Sequence, residues 1–243
     1  MKTNGVAGSC GVFALAILSC CVVSAIRAGE PVGNLRSDIK AQRILFLGNS
    51  ITRHGPAAKI GWTGDWGMAA TAQEKDFVHI LANSIAELTG HKAELRIANV
   101  ADFERNFGTF DLNTQLKDAL EFKADLVIVA LGENVPALAS DEVKTQFKNS
   151  FTNLLTALKN NGQPALFVRG CFWTDKTKDD LMQQACATSG GVFVDIGTLG
   201  KDESNFARSE RKIEHAGVAA HPGDKGMKAI ADAIVNAMKS PAK

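Results

Sequence analysis

The chain has 243 residues, of which 45% are hydrophobic and 22% are charged, and 27 basic against 26 acidic side chains give a formal net charge of +1. This composition is typical of one globular domain, and a sequence without a basic cluster is a poor candidate for binding nucleic acid, because nothing would neutralise a row of phosphates. Three of the five cysteines fall within the first 21 residues, which excludes a small disulfide-rich scaffold.

The first 25 residues predict a secretory signal peptide. Lys2 is the only charged residue among them, an apolar run covers residues 11–23, and small residues follow that run. The run has about 13 residues, fewer than the roughly 20 that cross a membrane, and we expect no transmembrane span in the mature protein. We therefore expect cleavage after Ala25 and export to the periplasm or the medium. Lipid attachment at Cys20 is the alternative.

Five short apolar runs predict buried parallel strands, at residues 43–48, 93–99, 125–130, 164–170 and 191–195. Apolar residues at helical spacing lie between and after them, at residues 76–89, 111–123, 141–160, 175–189 and 224–239. Regular alternation of strand and helix predicts a flavodoxin-like, three-layer α/β/α sandwich with a five-stranded parallel sheet. We expect one domain over residues 42–239, preceded by a linker at 26–41.

The loops after the strands should gather at one edge of such a sheet, where open α/β proteins bind ligands. Ser50 follows the first strand, Gly132 and Asn134 follow the third, and His221 precedes the last helix. Each one alone is typical of a turn or a helix cap. Together they supply a hydroxyl nucleophile, an imidazole base and N–H donors for an oxyanion, which are the groups that acyl transfer needs.

Two segments, ILFLGNSIT and AHPGDKGMKAIADAI, resemble the first and last sequence blocks of the SGNH, or GDSL-type, hydrolase family, and the resemblance runs over residues 44–234. It implies that Ser50 is the nucleophile and that His221 is the base. It also implies that the Ser50 N–H and the LGEN segment, with Gly132 and Asn134, face the oxyanion. No cofactor is implied, and metal-binding spacings such as HExxH are absent from the sequence.

The chain departs from the family pattern at three places. Asn49 stands where many members have aspartate, at a position that orients the turn. The segment NVADFERN, expected to be a loop, has Glu104 or Ala101 where the family commonly has a glycine, and this leaves a third oxyanion donor unassigned. Val218 occupies the position of the acid that usually precedes the histidine by three residues.

The acid of a triad fixes the tautomer of the imidazole and stabilises its charged form, so its absence has to be explained. We favour a Ser–His dyad in which a backbone carbonyl accepts the ring N–H. Glu214 and Glu203 are the carboxylates that could replace the acid from upstream, whereas Asp224 is expected to cap the last helix.

Three aromatic residues near Ser50 are weaker candidates. His54, Trp62 and Trp66 are predicted to contact substrate, for example by stacking on a sugar ring, although two tryptophans can equally pack a loop onto the domain. The same two interpretations apply to Trp173. Export would allow Cys171 and Cys186 to form a disulfide, and the sequence leaves that pairing open.

The sequence thus predicts an exported serine esterase that forms an acyl-Ser50 intermediate and removes short acyl groups, such as acetyl, from carbohydrate. Its partner would be a small-molecule or glycan ester. One alternative is a glycan-binding protein on the same fold with little or no catalysis, and another is acyl transfer to a sugar instead of water. The exact acyl group, the alcohol and the oligomeric state are left open.

Overall fold

The computed structural model describes residues 34–239, together with residues 1, 2, 4 and 5. Apart from those four positions, the predicted signal peptide lies outside the described residues, as do its cleavage position and Cys20. Within residues 34–239, five parallel strands form one sheet in the order β2-β1-β3-β4-β5. The predicted three-layer α/β/α sandwich is confirmed.

The strands are β1 (Arg43–Gly48), β2 (Glu94–Asn99), β3 (Leu126–Ala130), β4 (Ala165–Arg169) and β5 (Val192–Val194). The helices are α1 (Phe77–Thr89), α2 (Ala101–Asn106), α3 (Leu112–Gln115), α4 (Lys117–Glu121), α5 (Asp141–Asn160), α6 (Lys176–Thr188), α7 (Ala207–Glu210), α8 (Ala216–Ala219) and α9 (Asp224–Lys239). Each strand lies within one residue of its predicted ends or inside them, because short apolar runs bounded by polar residues mark buried strands clearly.

Successive side chains of β1 enter two different cores. Ile44 and Phe46 pack in the layer that contains α1 and α9, whereas Leu45 and Leu47 pack in the layer that contains α5 and α6. This alternation follows from the two-residue period of a strand, and covering both faces requires the continuous apolar runs seen in the sequence. The two layers cover both faces of the sheet, and the loops after the strands lie at its exposed edge.

Helix boundaries follow local capping, with one correction. Asp76 caps α1 by accepting the N–H of His79, as an aspartate before an apolar helix should. Asp224, expected to cap α9, is instead its first residue, and its carboxylate accepts hydrogen bonds from Thr71 and Lys75. The first two N–H groups of α9, those of Asp224 and Lys225, donate to Glu210 at the end of α7.

Three other segments differ from the predictions. The helix expected at 111–123 is two short helices, α3 and α4, separated at Leu116 by non-helical backbone angles. The segment NVADFERN contains a helix, α2, because burial of Phe103 and Glu104 holds it against the domain. The long connection before His221 contains α7 and α8 and two short 3-10 helices, Leu199–Lys201 and Glu203–Asn205.

The described part of the predicted linker packs against the domain. Ile39 and Ala41 are buried, and the Arg36 N–H donates to the carbonyl of Met238 at the end of α9. Cys171 and Cys186 are both buried free thiols. None of the helices within the described residues is long and apolar enough to span a bilayer.

Candidate active site

Ser50 lies in a tight turn directly after β1. The Asn49 carbonyl accepts the N–H groups of Thr52 and Arg53, and the Asn49 side-chain oxygen accepts the Ile51 N–H at 3.1 Å. Among residues 34–239, the backbone N–H of Ser50 has no protein acceptor. The turn therefore presents the Ser50 hydroxyl and its N–H at the sheet edge, where an open α/β fold binds ligands.

His221 meets Ser50 across this edge. The Ser50 Oγ lies 2.8 Å from His221 Nε2, and the Gly217 carbonyl oxygen lies 2.7 Å from His221 Nδ1. A carbonyl can only accept, so Nδ1 carries the proton and Nε2 is left free to accept the hydroxyl proton. Helix α8 creates this geometry, since it ends just before His221 and places the Gly217 carbonyl four residues upstream.

None of the three carboxylates considered from the sequence contacts the imidazole. Glu214 is nine-tenths exposed and pairs with Lys212, Glu203 pairs with Arg208, and Asp224 pairs with Lys75. Val218, at the position of the usual acid, is buried in an apolar cluster. The Gly217 carbonyl thus occupies the position that a carboxylate would take at Nδ1.

His221 is largely buried and packs against an aromatic ring. Only 9% of the residue is exposed, and the Trp173 ring meets the imidazole edge-on with the ring centroids 5.2 Å apart. Burial lowers the pKa of His221 below its ordinary value of 6.5, while the hydrogen bond to the Gly217 carbonyl and the charge of Glu133 oppose the shift without cancelling it. The ring is therefore neutral, as a base must be, over a wider range of pH.

The donors expected to face the oxyanion are held by another side chain. Oε1 of Glu104 accepts the Gly132 N–H at 2.6 Å and the Asn134 N–H at 3.2 Å, and Oε2 accepts Nδ2 of Asn134 at 2.6 Å. The Gly132 N–H, predicted as an oxyanion donor, is therefore engaged within the protein. Asn134 keeps a second Nδ2 hydrogen, for which residues 34–239 provide no acceptor.

Glu104 belongs to a larger buried group. Asn49 Nδ2 donates to Glu104 at 3.0 Å and to Glu133 at 2.7 Å, and Glu133 forms an ion pair with Arg169. The Arg169 and Glu133 side chains are 0% and 1% exposed, and Glu104 is 0% exposed. We call Asn49, Glu104, Glu133 and Arg169 the acid network. It joins the ends of β1, β3 and β4 to α2.

Burial affects the two carboxylates of the acid network differently. It opposes ionisation of Glu133, but Arg169 and the N–H of Phe172 outweigh it, and the pKa of Glu133 is lowered. Burial and the nearby charge of Glu133 raise the pKa of Glu104, against its hydrogen bonds from Asn134, Asn49 and Gly132. Among the described residues, the Arg169 guanidinium pairs with Glu133 alone, and Glu104 has only neutral N–H donors as partners.

Glycine is required at position 132. Its φ of 129° lies in the region that favours glycine, and a Cβ would approach within 2.5 Å of the Cys171 sulfur. The resulting turn directs the next two residues, Glu133 and Asn134, toward the acid network.

The other predicted contacts surround a neighbouring cleft. Trp62 and Trp66 form an edge-to-face pair with ring centroids 5.7 Å apart. They line a cleft of about 450 Å³ with His215 and Val218, whereas neither Ser50 nor His221 lines it. His54 pairs with Trp66 in a short β-bridge, and its Nδ1 lies 2.6 Å from the carbonyl oxygen of Gly55. Sugar binding by these residues remains a prediction.

Sequence reasoning missed the acid network. Arg169 ends an apolar strand, PALFVRG, and a cation at the end of a buried strand needs a partner, which was the available signal. The Ala101 N–H, one candidate for the unassigned third donor, donates to the side chain of Asn99. Across residues 34–239, no three His, Cys, Asp or Glu side chains converge as a metal site would require.

Comparison with known proteins is informative about the fold. No family model matches the sequence, and no curated protein matches it. A candidate GDSL-like lipase from Bacteroides ovatus has 11% sequence identity and a TM-score of 0.53, over 82% of this chain and 99% of that one. Another from Bacteroides uniformis has 14% identity and a TM-score of 0.51, over 81% of this chain and 94% of that one. The chain therefore shares the fold of these proteins.

Proposed function

We propose that this chain is a serine ester hydrolase that uses Ser50 as nucleophile and His221 as general base, without a carboxylate behind the histidine. The observation that carries the proposal is the 2.8 Å contact between Ser50 Oγ and His221 Nε2, with Nδ1 held by the Gly217 carbonyl. Supporting it, the chain has the fold of two candidate GDSL-like lipases and resembles the SGNH family around both residues.

In the acylation step, Ser50 Oγ attacks the ester carbonyl carbon while its proton moves to His221 Nε2. The carbonyl electron pair moves onto oxygen, and the Ser50 N–H and the second Nδ2 hydrogen of Asn134 are the donors available to that oxyanion. Collapse of the tetrahedral intermediate breaks the bond to the alcohol oxygen, which takes the proton from His221. An acyl-Ser50 ester remains.

Water then replaces the alcohol. His221 Nε2 accepts a proton from the water as its oxygen attacks the acyl carbon, and the proton returns to Ser50 Oγ as the carboxylic acid leaves. The Gly217 carbonyl stabilises the imidazolium less than a carboxylate would, because it carries only a partial negative charge. We therefore expect turnover slower than that of an enzyme with a full triad.

For the substrate we propose short acyl groups, such as acetyl, on carbohydrate. Support comes from the paired Trp62 and Trp66 at a cleft that also borders α8, since aromatic faces suit sugar rings. Export, as the N-terminal sequence predicts, would bring the protein to extracellular glycans.

The test is hydrolysis of p-nitrophenyl acetate and an acetylated oligosaccharide by the protein lacking residues 1–25, beside Ser50→Ala and His221→Ala. Each variant should lower kcat/KM at least about 10³-fold, because the nucleophile and its base act as one unit. Ser37→Ala and His91→Ala are the controls, as both residues are exposed and precede β1 and β2, at the opposite edge of the sheet from Ser50. Wild-type rates in Ser50→Ala would contradict the proposal.

The second candidate is a non-catalytic glycan-binding protein. It is favoured by Val218 in place of the acid and by Glu104, which engages the Gly132 and Asn134 donors. Binding of the acetylated oligosaccharide without hydrolysis, equal in wild type and Ser50→Ala, would support it. An acylated sugar product in the presence of a glycan acceptor would instead indicate acyl transfer.

A further inference from the structure

Glu104 is buried at the point where the predicted oxyanion side of the site meets α2. Its carboxylate receives hydrogen bonds from three residues, Asn49, Gly132 and Asn134, and none of its surface is exposed. A carboxylate of this kind costs free energy to bury unless its oxygens are satisfied, and here both are. Nothing in the Ser50–His221 chemistry uses Glu104 directly.

Every hydrogen bond of the Glu104 carboxylate within residues 34–239 comes from an N–H donor, and an oxygen that only accepts dictates the orientation of the Asn134 side chain. Nδ2, and not Oδ1, must face Glu104 Oε2, as it does at 2.6 Å. The same carboxylate holds the backbone of the Asn134 loop through the N–H groups of Gly132 and Asn134. Both the rotamer of Asn134 and the loop beneath it therefore depend on a single acceptor group.

Consequently few donors remain for a substrate. The Gly132 N–H and the Asn134 backbone N–H each have one hydrogen, which Glu104 takes, whereas the Asn134 amide has two and gives it only one. Asn49 cannot contribute, because its Nδ2 donates to both Glu104 and Glu133. Of the donors considered for the oxyanion, only the Ser50 N–H and the second Asn134 hydrogen are without an acceptor among residues 34–239.

We propose that Glu104 is a positioning residue that holds the Asn134 amide so that its second hydrogen is the side-chain donor to the oxyanion. This inference rests on the proposed esterase function. In this arrangement a carboxylate on α2 orders the oxyanion side of the site. The resemblance to the family leads us to expect a glycine in this segment. Glu104 acts through Asn134 and does not touch the substrate.

A glutamine at position 104 would test the requirement for a pure acceptor. Its oxygen can still accept from Asn49 and Gly132, but its amide nitrogen would face Nδ2 of Asn134, and two donors cannot bond each other. Asn134 would turn its oxygen inward and its amide hydrogens would leave the site. The shape of the side chain is unchanged, so the packing of α2 is preserved.

The experiment compares wild type with Glu104→Gln, with the exposed control Glu121→Gln, and with the exchanged pair Glu104→Gln/Asn134→Asp. In Glu104→Gln we expect kcat for p-nitrophenyl acetate to fall about 10²-fold with KM nearly unchanged, the size expected for one lost oxyanion donor. Affinity for phenylboronic acid, which forms a tetrahedral adduct with serine, should fall in parallel. Glu121→Gln should match wild type in both measurements.

The exchanged pair separates positioning from stability. The amide introduced by Glu104→Gln would donate to the carboxylate introduced by Asn134→Asp, which restores the buried hydrogen bond, and Tm should return toward that of wild type. Activity should stay low, because position 134 no longer carries a side-chain N–H donor. Full activity in the exchanged pair, or wild-type kcat in Glu104→Gln, would overturn the inference.

Failure of the proposed function would look different. Wild type would then hydrolyse no ester faster than Ser50→Ala and would not bind phenylboronic acid, and the inference would fall with it. If Glu104→Gln does not fold, Glu104→Asp keeps a pure acceptor and should retain more activity than Asn134→Ala. Equal activity of those two variants would also overturn the inference.

Discussion

The two groups that flank the Ser50 turn differ in charge and in what holds them. On the base side, His221 contacts the Ser50 hydroxyl, the Gly217 carbonyl and the Trp173 ring, none of which is ionised. On the other side, the acid network contains two buried carboxylates and one guanidinium.

In a Ser–His–acid triad the carboxylate lies behind the imidazole. Here the position behind His221 is neutral, and buried carboxylates lie beside Asn49 instead. The basicity of His221 depends on its tautomer and on its desolvation. The stability of the acid network depends on the pairing of its charged groups. Substitutions that alter the contacts of His221 itself should therefore affect rate and pH dependence more than stability, and those in the acid network should affect stability strongly.

The largest loss of stability should come from Arg169→Met. Removal of the guanidinium leaves the Glu133 carboxylate buried without a cation, and breaking a buried ion pair in this way costs about 3–5 kcal/mol. The free energy of unfolding, measured with urea, should fall by that amount. The comparison is Arg208→Met, whose partner Glu203 is exposed, and which should cost at most about 1 kcal/mol.

A loss below about 1 kcal/mol in Arg169→Met would mean that the ion pair does not hold the strand ends together. The acid network would then be no more important to stability than the exposed pair of Arg208 and Glu203, and the contrast between the two sides of the Ser50 turn would disappear.

A smaller effect is expected from Val218→Asp, which returns an acid to its usual position in the family pattern. Val218 packs among Trp62, Met68 and Ala207, so the new carboxylate would be buried without a partner and should cost about 2–3 kcal/mol. Activity should not rise, because the Gly217 carbonyl already accepts the Nδ1 proton. Urea unfolding and kcat at neutral pH test both statements.

Val218→Ala is the matched control, since it reduces packing without adding charge. A kcat in Val218→Asp several times that of wild type would show that His221 can exchange the carbonyl for a carboxylate, and that the neutral base side is not a fixed feature of the fold.

The smallest expected effect is on the pH dependence of activity. His221 must be neutral to act as a base, and its burial lowers its pKa, so activity should persist below pH 6.5. Trp173→Ala admits water, which weakens the desolvation that lowers this pKa and shifts the acidic limb of kcat/KM to higher pH. The pH profile from about 5 to about 8, which brackets the ordinary pKa of histidine, measures the shift.

Trp173→Phe keeps an aromatic wall beside the imidazole and should retain the wild-type pH profile. If Trp173→Ala instead shifts the acidic limb to lower pH, burial by this ring is not what sets the pKa of His221.

Much of the architecture could be predicted from the sequence, because it depends on local pattern. Apolar runs such as ILFLG form strands buried on both faces, and the spacing of Phe147, Phe151, Leu154 and Leu158 forms one buried face of α5. The predictions failed where a cap or a buried contact involved a different element, as with Glu210 of α7 at the start of α9 and the burial of Glu104 on α2.

The sequence by itself determined the parallel sandwich and placed Ser50 and His221 in loops at one sheet edge, because strand and helix periodicity are local properties. Only the tertiary structure decided which groups surround them. The carbonyl acceptor of Gly217 is a backbone atom that every residue carries, and Arg169 reaches Glu133 across 36 positions of the chain. Residue type alone gives no measure of such distances, so the acid network and the orientation of Asn134 emerge only when the strand ends meet.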